Sequence, residues 1–432
     1  MKTRLSFLIL LAAMLAIASV SVFAADKTPI VSPGLNILAA NTDMAKTALT
    51  GDNIGFTDDD FRRALNLSEI RTLTVVSLPA PEEGKLMLGT AELSAGKSVS
   101  GSNLDLMTFV PTSDKVERSS FTFETGAGYC ITCNLYFLPE TNYSPTVSLA
   151  ADNSLSVRTH ASVSRTGRLE AYDPEGDAFV YEIVSYPENG SLILTNRSDG
   201  SYVYTPASSF TGKDSFSYVA RDVYGNYSSA ATVSVNVQSR TTSVIYDDIE
   251  DCNVYNAALT MAEKSIMSAT AEDGISCFAP GQSISRAEFL ACAMQAAGIT
   301  DPGSDAATVF ADDEDIPVIY KGYIATAYRL GFVSGSNDTG ELCFLPNATV
   351  TRAEAAVMLN AVISSVCSVE EPILLPVFAD TADVPSWASD AIYLMTSLGI
   401  FDENGGYASP DAVVTRGDAA CMFEEVVALC EG

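Results

Sequence analysis

The C-terminal part of the chain repeats one short pattern three times, and this repeat limits the fold more than any other feature of the sequence. A Ser or Thr, an Arg, a small residue and an acid begin at Ser285, Thr351 and Thr415, at intervals of 66 and 64 residues. Repeats of this period indicate supersecondary units that bury their apolar faces against one another. The sequence therefore predicts three copies of one helical unit, at residues 245–300, 308–368 and 376–432.

Each copy of the pattern begins a helix. Apolar residues follow the Arg at helical spacing, as Phe289, Cys292 and Ala296 do in the first copy. A Ser or Thr with an acid three residues later is a capping box, in which both side chains satisfy free N–H groups. The capping box does not explain the Arg, since a cation gains nothing at the positive end of the helix dipole.

The repeated Arg is unusual because cations are rare in this region. From residue 245 onward there are 29 acidic and six basic side chains, and half of the basic ones occupy the motif position. A guanidinium beside free helix-start N–H groups binds a carboxylate or phosphate well. The alternative is an ion pair across the repeat interface with Asp248, Asp312 or Asp380, each the last residue of an upstream aromatic-x-Asp pattern.

These motifs resemble the S-layer homology (SLH) family. The third copy resembles it most, through Phe378-Ala379-Asp380, Trp387-Ala388, Leu398-Gly399-Ile400 and Thr415-Arg416, and the first diverges most, with Tyr246 for Phe and Ser285 for Thr. The resemblance implies an all-α pseudo-threefold unit of three SLH repeats. Grooves between such repeats bind secondary cell-wall polysaccharide, often bearing pyruvate, and the motif Arg takes part.

By position, the resemblance implies one set of groove residues, with the Arg meeting an anion and the others shaping the grooves: Arg286, Arg352, Arg416, Asp248, Asp312, Asp380 and Trp387. Two alternatives stay open. The three Asp residues can serve as helix caps, and Trp387 can be a core aromatic. Gly417-Asp418 replaces the usual Ala-Glu, so the resemblance does not require every groove to be active.

Upstream, between about residues 70 and 240, the sequence is typical of antiparallel sheets. Short alternating runs rich in Val, Tyr, Phe and Thr are separated by Gly, Pro, Asn and Asp. Residues 108–111 and 120–123 recur as 203–206 and 215–218, both with an offset of 95. We therefore expect a multidomain chain in which two all-β sandwiches, 35–142 and 143–240, precede the helical copies.

The second sandwich resembles bacterial cadherin-like or immunoglobulin-like repeats, which implies a spacer or adhesive module. Its acidic residues offer hard oxygen ligands for calcium, although turns favour the same residue types: Asp173, Glu175, Asp177 and Asp222. A further acidic run, Thr57 followed by three Asp, is better explained as a helix cap than as a metal site.

Composition excludes several functions. A formal net charge of −30 excludes nucleic acid as a partner, because a phosphate-binding surface must be basic. The single His, His160, lies outside any nucleophile motif, so we expect neither an enzyme nor a cofactor apart from calcium. The nine Cys residues cannot all pair within one chain, so free thiols are expected, and Cys130-x-x-Cys133 lacks a second pair for zinc.

Residues 1–24 have the pattern of a secretory signal peptide. Lys2 and Arg4 precede an apolar run that ends in a small-residue site, so we expect cleavage after Ala24. No later apolar run has membrane length, so no stable membrane span is expected after cleavage. We expect a secreted cell-wall or S-layer surface protein, held noncovalently by wall polysaccharide. The alternative is an adhesin or self-assembling S-layer subunit whose sandwiches bind calcium or a host or neighbouring-cell ligand.

Overall fold

The computed structural model describes residues 43–65, 67, 69–125, 130–147, 154–272, 275–303, 307–337, 340–369, 376–402 and 406–431. These form two compact units. One comprises the residues up to Arg158 with Thr166–Val237, and the other comprises Thr159–Arg165 with the residues from Gln238 onward. The first unit is built of sheets and the second of helices, as the sequence predicts. The predicted signal peptide, residues 1–24, lies outside the described residues.

Among the described residues, the first pair of sheets is formed by nine strands and carries an α-helix and a short 3-10 helix, Gly101–Leu106. Its strands are β1 (Asp43–Leu49), β2 (Ile54–Gly55), β3 (Thr72–Ser77), β4 (Gly84–Leu88), β5 (Ala91–Glu92), β6 (Ser98–Ser100), β7 (Met107–Pro111), β8 (Arg118–Thr125) and β9 (Cys130–Leu138). One sheet has the order β1-β9-β8-β3-β6, and the other has the order β2-β7-β4-β5. Strand β1 runs parallel to β9. Helix α1 (Asp58–Leu65) follows β2.

The second pair of sheets follows in the chain. Its strands are β10 (Ser154–His160), β11 (Arg165–Arg168), β12 (Phe179–Ser185), β13 (Gly190–Leu194), β14 (Ser201–Pro206), β15 (Gly212–Asp222) and β16 (Ala231–Gln238). The sheet orders are β10-β16-β15-β12 and β11-β14-β13. Alternate side chains of β16 are buried, because successive residues of a strand face opposite sides of its sheet.

One packing arrangement occurs in both pairs of sheets. Gly84 lies opposite Pro111 in the first pair, and Gly190 lies opposite Pro206 in the second. A Cβ on Gly84 would lie 2.2 Å from the ring of Phe109, and one on Gly190 would lie 2.6 Å from the ring of Tyr204. The aromatic ring of the neighbouring strand therefore covers each glycine. Phe109 and Tyr204 are themselves 95 positions apart, the offset found in the sequence.

The second unit is mainly helical and contains a short hairpin after its first helix. Its elements are α2 (Cys252–Glu263), β17 (Thr270–Glu272), β18 (Ile275–Cys277), α3 (Arg286–Ala296), α4 (Val318–Leu330), α5 (Arg352–Val366), α6 (Ser389–Ser397) and α7 (Arg416–Glu431). Helices α3, α5 and α7 begin at the motif Arg residues and contact one another. The first helix of each copy packs on the motif helix of another: α4 on α3, α6 on α5, and α2 on α7.

The helices of this unit share one apolar core, to which each motif helix contributes. Leu290, Leu359 and Phe423 are fully buried in it. This core explains why the apolar residues of the motif helices recur at helical spacing.

Within the described ranges, none of the helices combines the length and the apolar character that crossing a membrane requires.

Candidate functional site

Each motif helix is capped at its start by the side chains of the motif residues. Thr351 and Glu354 form a reciprocal capping box, in which the Thr351 hydroxyl accepts from the Glu354 N–H and the Glu354 carboxylate accepts from the Thr351 N–H. The Ser285 hydroxyl accepts from the N–H of Glu288. Thr415 and Asp418 exchange the same two bonds, of 3.2 and 2.9 Å. The predicted capping at Thr351 is confirmed, and the arginines remain to be explained.

Each motif Arg extends into the next copy of the repeat. Arg286 of the first copy pairs with Glu354 of the second, with Nη1 and Oε1 3.0 Å apart, and lies over the ring of Phe344. Arg352 of the second copy lies over the ring of Phe401 in the third, with Cζ 4.2 Å from the ring centroid. Its Nη1 is 3.3 Å from the Asp402 carboxylate.

Arg416 of the third copy returns to the first. It forms an ion pair with Glu288, its Nε donates to the Phe278 carbonyl, and its Nη2 donates to the Ser268 carbonyl. The contacts of the three arginines therefore form a closed cycle from the first copy to the second, the third and back to the first. Ion pairs across the repeat interface are therefore present, as the alternative reading of the Arg proposed, but the acids are Glu354, Asp402 and Glu288 and not Asp248, Asp312 and Asp380.

The three guanidinium groups differ in how fully they are bonded. The side chain of Arg286 is 18% exposed, and those of Arg352 and Arg416 are each 10% exposed. The Nε atoms of Arg352 and Arg416 donate to the carbonyls of Ala408 and Phe278. The Nε of Arg286 is buried and has no hydrogen-bond partner among the described residues. Arg286 is thus the least fully bonded of the three.

The three Asp residues of the aromatic-x-Asp patterns hold turns in place. The Asp248 carboxylate accepts from the N–H groups of Phe278 and Ala279, at 2.9 and 2.6 Å. Asp312 and Asp380 make the same two bonds in their own copies. The second residue of each turn has a positive φ that is costly for a residue other than Gly: 56° at Ala279, 61° at Leu345 and 47° at Ser409.

These carboxylates bond to backbone about 30 residues away, so they do not act as the helix caps that the sequence favours. Asp312 and Asp380 directly precede short 3-10 helices, Asp313–Asp315 and Thr381–Asp383, but their side chains make no cap hydrogen bond to these helices and accept from the distant turns instead. Each Asp fixes a turn that supplies contacts for a motif Arg: the Phe278 and Ala408 carbonyls and the Phe344 ring.

Trp387 lies at the surface and is not a core aromatic, since it is 61% exposed. Another exposed apolar position recurs in all three copies, immediately before the aromatic-x-Asp pattern. It is occupied by Ile245, Val309 and Val377, which are 61%, 62% and 90% exposed. These three residues belong to no motif that was predicted to bind from the sequence.

The predicted calcium ligands of the second sheet pair are partly brought together. Carboxylate oxygens of Asp173, Glu175 and Asp177 lie within 4.8 Å of one another. Asp173 is only 3% exposed, and its Oδ2 is buried without a hydrogen-bond partner among the described residues. Burial and the neighbouring carboxylates of Asp173, Asp222 and Glu175 raise the pKa of Asp177. The cluster is a concentration of negative charge with an unsatisfied oxygen at its buried side.

Asp222 belongs to the same neighbourhood, but its oxygens are already bonded. It accepts from the backbone N–H groups of Tyr224 and Asn226, and Asn142 Nδ2 donates to its Oδ2 at 2.6 Å. The Asn142 Oδ1 is buried and unpartnered within the described part of the chain. Asn142 could not be predicted from the sequence, because it is 80 positions from Asp222 and belongs to no motif.

Four other residues considered from the sequence lie in surroundings that explain them structurally: Thr57, Cys130, Cys133 and His160. The Thr57 hydroxyl accepts from the Asp60 N–H at the start of α1, so the predicted cap is confirmed. His160 is buried, with Nδ1 3.2 Å from Asn256 Oδ1 and Nε2 3.3 Å from Glu263. Cys133 is buried while Cys130 is exposed, which places the two thiols on opposite faces of β9.

Comparison with known families agrees with this architecture. Residues 142–239 match the bacterial cadherin-like domain, and residues 310–356 and 377–420 match the S-layer homology domain. The chain therefore carries a bacterial cadherin-like domain followed by S-layer homology domains, which mark proteins of the cell wall and S-layer surface. Both kinds of domain are non-catalytic. The first copy, residues 245–300, lies outside these matches.

Individual relatives are distant. An amylopullulanase from Thermoanaerobacterium thermosulfurigenes is 23% identical over 287 residues, which cover 64% of this chain but only 14% of that protein. Fibronectin(III)-like modules from Clostridium thermocellum are 13% identical, with a TM-score of 0.22, and cover 50% of this chain and 97% of theirs. The human desmocollin-1 ectodomain is 14% identical, with a TM-score of 0.18, and covers 34% of this chain and 33% of its own.

Proposed function

We propose that the helical unit attaches the chain noncovalently to the cell wall by binding an anionic secondary polysaccharide, with pyruvate as the preferred anionic group. In this proposal the unit is a pseudo-threefold assembly of three SLH repeats, 245–300, 308–368 and 376–432. The two sheet pairs, 35–142 and 143–240, are immunoglobulin-like or cadherin-like sandwiches that project as spacer or adhesive modules and have no catalytic role.

The observation that carries the proposal is the repeated position of the motif Arg. In a region with 29 acids and six bases, three cations stand at equivalent helix starts and extend into the junction with the next copy. A guanidinium at a helix start presents several N–H donors to an incoming carboxylate. The exposed Trp387 offers an apolar face of the kind on which sugar rings pack.

Arg286 is the arginine that can accept an anion at the smallest structural cost. Its side chain is 18% exposed, against 10% for Arg352 and Arg416, and its acid partner Glu354 has a side chain that is 35% exposed. Arg416 would have to give up an ion pair and two carbonyl contacts. Within the proposed site we therefore expect Arg286 to contribute binding, with Asp248, Asp312 and Asp380 shaping the grooves through their turns.

The test is binding of the full chain to purified wall polysaccharide, before and after chemical removal of its pyruvate. We expect Arg286→Gln to weaken binding by roughly tenfold, the effect of losing one charge-assisted hydrogen bond of about 1.4 kcal/mol. The matched control is Arg329→Gln, which removes the same charge from an exposed residue outside the motif. Equal affinity of Arg286→Gln and wild type, or equal loss in both variants, would refute the assigned role.

A second candidate function is calcium binding by the second sheet pair, and the buried orphan oxygen of Asp173 favours it. Carboxylates of Asp173, Glu175 and Asp177, with the amide oxygen of Asn142 and the nearby Asp222, provide the oxygen ligands that Ca²⁺ prefers. Bound calcium would neutralise the repulsion among these carboxylates. This site would support an adhesin or a self-assembling S-layer subunit.

Calorimetric titration of the chelator-treated full chain with CaCl₂ tests the second candidate. We expect a bound ion and a rise in Tm, both absent in Asp173→Asn, because that variant removes the buried charge while keeping the side-chain shape. Asp199→Asn is the control, since Asp199 lies in the same sheet pair but caps a separate turn. No heat of binding and an unchanged Tm would leave the sheet pairs as spacers.

A further inference from the structure

Two cysteine thiols lie side by side at the ends of two motif helices. Cys367 is the C-cap residue immediately after α5, and Cys430 lies in the last turn of α7. The Cys367 thiol donates a hydrogen bond to the Cys430 sulfur, and the two Sγ atoms are 3.0 Å apart. A bonded pair of sulfurs is about 2 Å apart, so a movement of about 1 Å would bring these atoms to bonding distance.

The surroundings of this pair differ from those of the buried cysteines. Cys367 and Cys430 are both half-buried, at the edge of the apolar core, so a small reagent can reach them. Cys133 and Cys292 are buried, and a thiol that a reagent cannot reach reacts slowly with disulfides. Burial and the hydrogen bond from Cys367 raise the pKa of Cys430 to about 12, so accessibility, and not a lowered pKa, distinguishes this pair. Accessibility and proximity therefore coincide at Cys367 and Cys430.

We propose that Cys367 and Cys430 form an oxidation site that closes to an intramolecular disulfide when the protein meets a low-molecular-weight disulfide at the cell surface. In the first exchange, one protein thiol displaces one half of the reagent and forms a mixed disulfide. In the second exchange, the other protein thiol displaces the remaining half. Two protein S–H bonds are lost, one S–S bond forms, and the reagent leaves as two thiols that carry the protons.

The crosslink joins the C-terminal ends of the motif helices of the second and third copies. Its two cysteines are 63 positions apart, so the bond restricts a long segment of the unfolded chain. Crosslinks of this span stabilise proteins mainly by lowering the entropy of the unfolded state. For a unit of this size we expect the oxidised protein to have a Tm roughly 10 °C above that of the reduced protein.

The experiment treats the full chain with oxidised glutathione, alkylates the remaining thiols and digests the protein with trypsin. Cys367 lies in the tryptic fragment 353–416, and Cys430 lies in the fragment 417–432. We expect mass spectrometry to find the two fragments joined, with the joined species lost on reduction. We also expect seven alkylated cysteines of nine, and a monomer on a non-reducing gel.

Fragment 417–432 also contains Cys421, so variants identify the bonded sulfur. Cys430→Ser and Cys367→Ser should each lose the joined species and the Tm difference between oxidised and reduced protein, while Cys421→Ser should keep both. All nine cysteines alkylated in the wild type would overturn the proposal. So would a joined species that survives in Cys430→Ser and disappears in Cys421→Ser. The outcome does not depend on polysaccharide binding.

Discussion

Arg286 and Arg416 occupy the same position of the same motif, yet their side chains are held differently. Arg416 bonds to one carboxylate and two backbone carbonyls of the first copy, and its side chain is 10% exposed. Arg286 bonds to one half-buried carboxylate, and its Nε has no partner among the described residues. The same motif Arg therefore bonds two repeats tightly at one junction, whereas at another junction its guanidinium group is less fully hydrogen-bonded.

Arg416→Met should have the largest effect on the free energy of unfolding. Removing one partner of a buried ion pair leaves the other charge uncompensated, and the Phe278 and Ser268 carbonyls also lose a donor. We expect the free energy of unfolding to fall by about 3 kcal/mol, measured by urea denaturation. Arg286→Met is the matched control and should lose at most about 1 kcal/mol. Equal losses at the two positions would remove the distinction between them.

The next effect concerns the turn that receives Arg416. Asp248→Ala removes both hydrogen bonds that hold the left-handed turn at Phe278 and Ala279. We expect a loss of about 2 kcal/mol in the free energy of unfolding. Ala279→Gly in the same chain should restore about 1 kcal/mol of it, because Gly adopts a φ of 56° without strain. If Ala279→Gly destabilises the protein further, the turn does not act as described.

A smaller effect is expected at the ion pair of Asp313 and Lys321 in the second copy. Hydrogen bonds from Lys321 and Thr308 lower the pKa of Asp313 from 3.8 to about 2. A carboxyl with a lowered pKa in the folded state adds stability above its unfolded pKa and loses that stability as the pH falls through the folded pKa. The contribution should therefore be present above about pH 4 and vanish towards pH 2.

Asp313→Asn tests this pH dependence. The difference in the free energy of unfolding between wild type and variant cancels the contributions of the other carboxylates. Because the Asp313 side chain is 22% exposed, we expect a stability deficit of only about 1 kcal/mol at pH 6. The deficit should shrink as the pH is lowered from about 4 to about 2. A deficit that is constant over this range would mean that the carboxylate charge makes no contribution.

The smallest effect is expected from Asp418→Glu, which gives the third copy the acid found in the other two. Arg352 now pairs with Asp402, whose side chain is 80% exposed, so that pair contributes little. A longer acid at position 418 should reach Arg352 and raise the free energy of unfolding by about 0.5 kcal/mol. Asp402→Asn should then have no effect in the variant. An unchanged stability would mean that side-chain length does not determine the partner of Arg352.

Much of this architecture could be predicted from the sequence, because period and pattern report local structure directly. The interval between the three motifs, the capping box at Thr351 and the alternation within strands all depend on residues close together in the chain. The partners of the arginines could not be predicted. Glu354 lies 68 positions from Arg286, and the packing of helices selects it from 29 acids.

The same limit explains the other residues that sequence analysis missed or misjudged. The Asp residues of the aromatic-x-Asp patterns bind turns about 30 positions away, and a positive φ at Ala279 or Leu345 has no sequence signature. Asn142 and the contact between Cys367 and Cys430 arise only when distant segments meet. The helices, the strands and the repeated Arg could therefore be predicted from the sequence. The residues that they contact could be identified only in the folded structure.

The most direct measurement of the central claim is cosedimentation of the full chain with purified cell walls, before and after chemical removal of the secondary polysaccharide. If the helical unit is an anchor for that polysaccharide, the chain should sediment with intact walls and stay in the supernatant with stripped walls. Equal sedimentation with both kinds of wall, or none with either, would contradict the account.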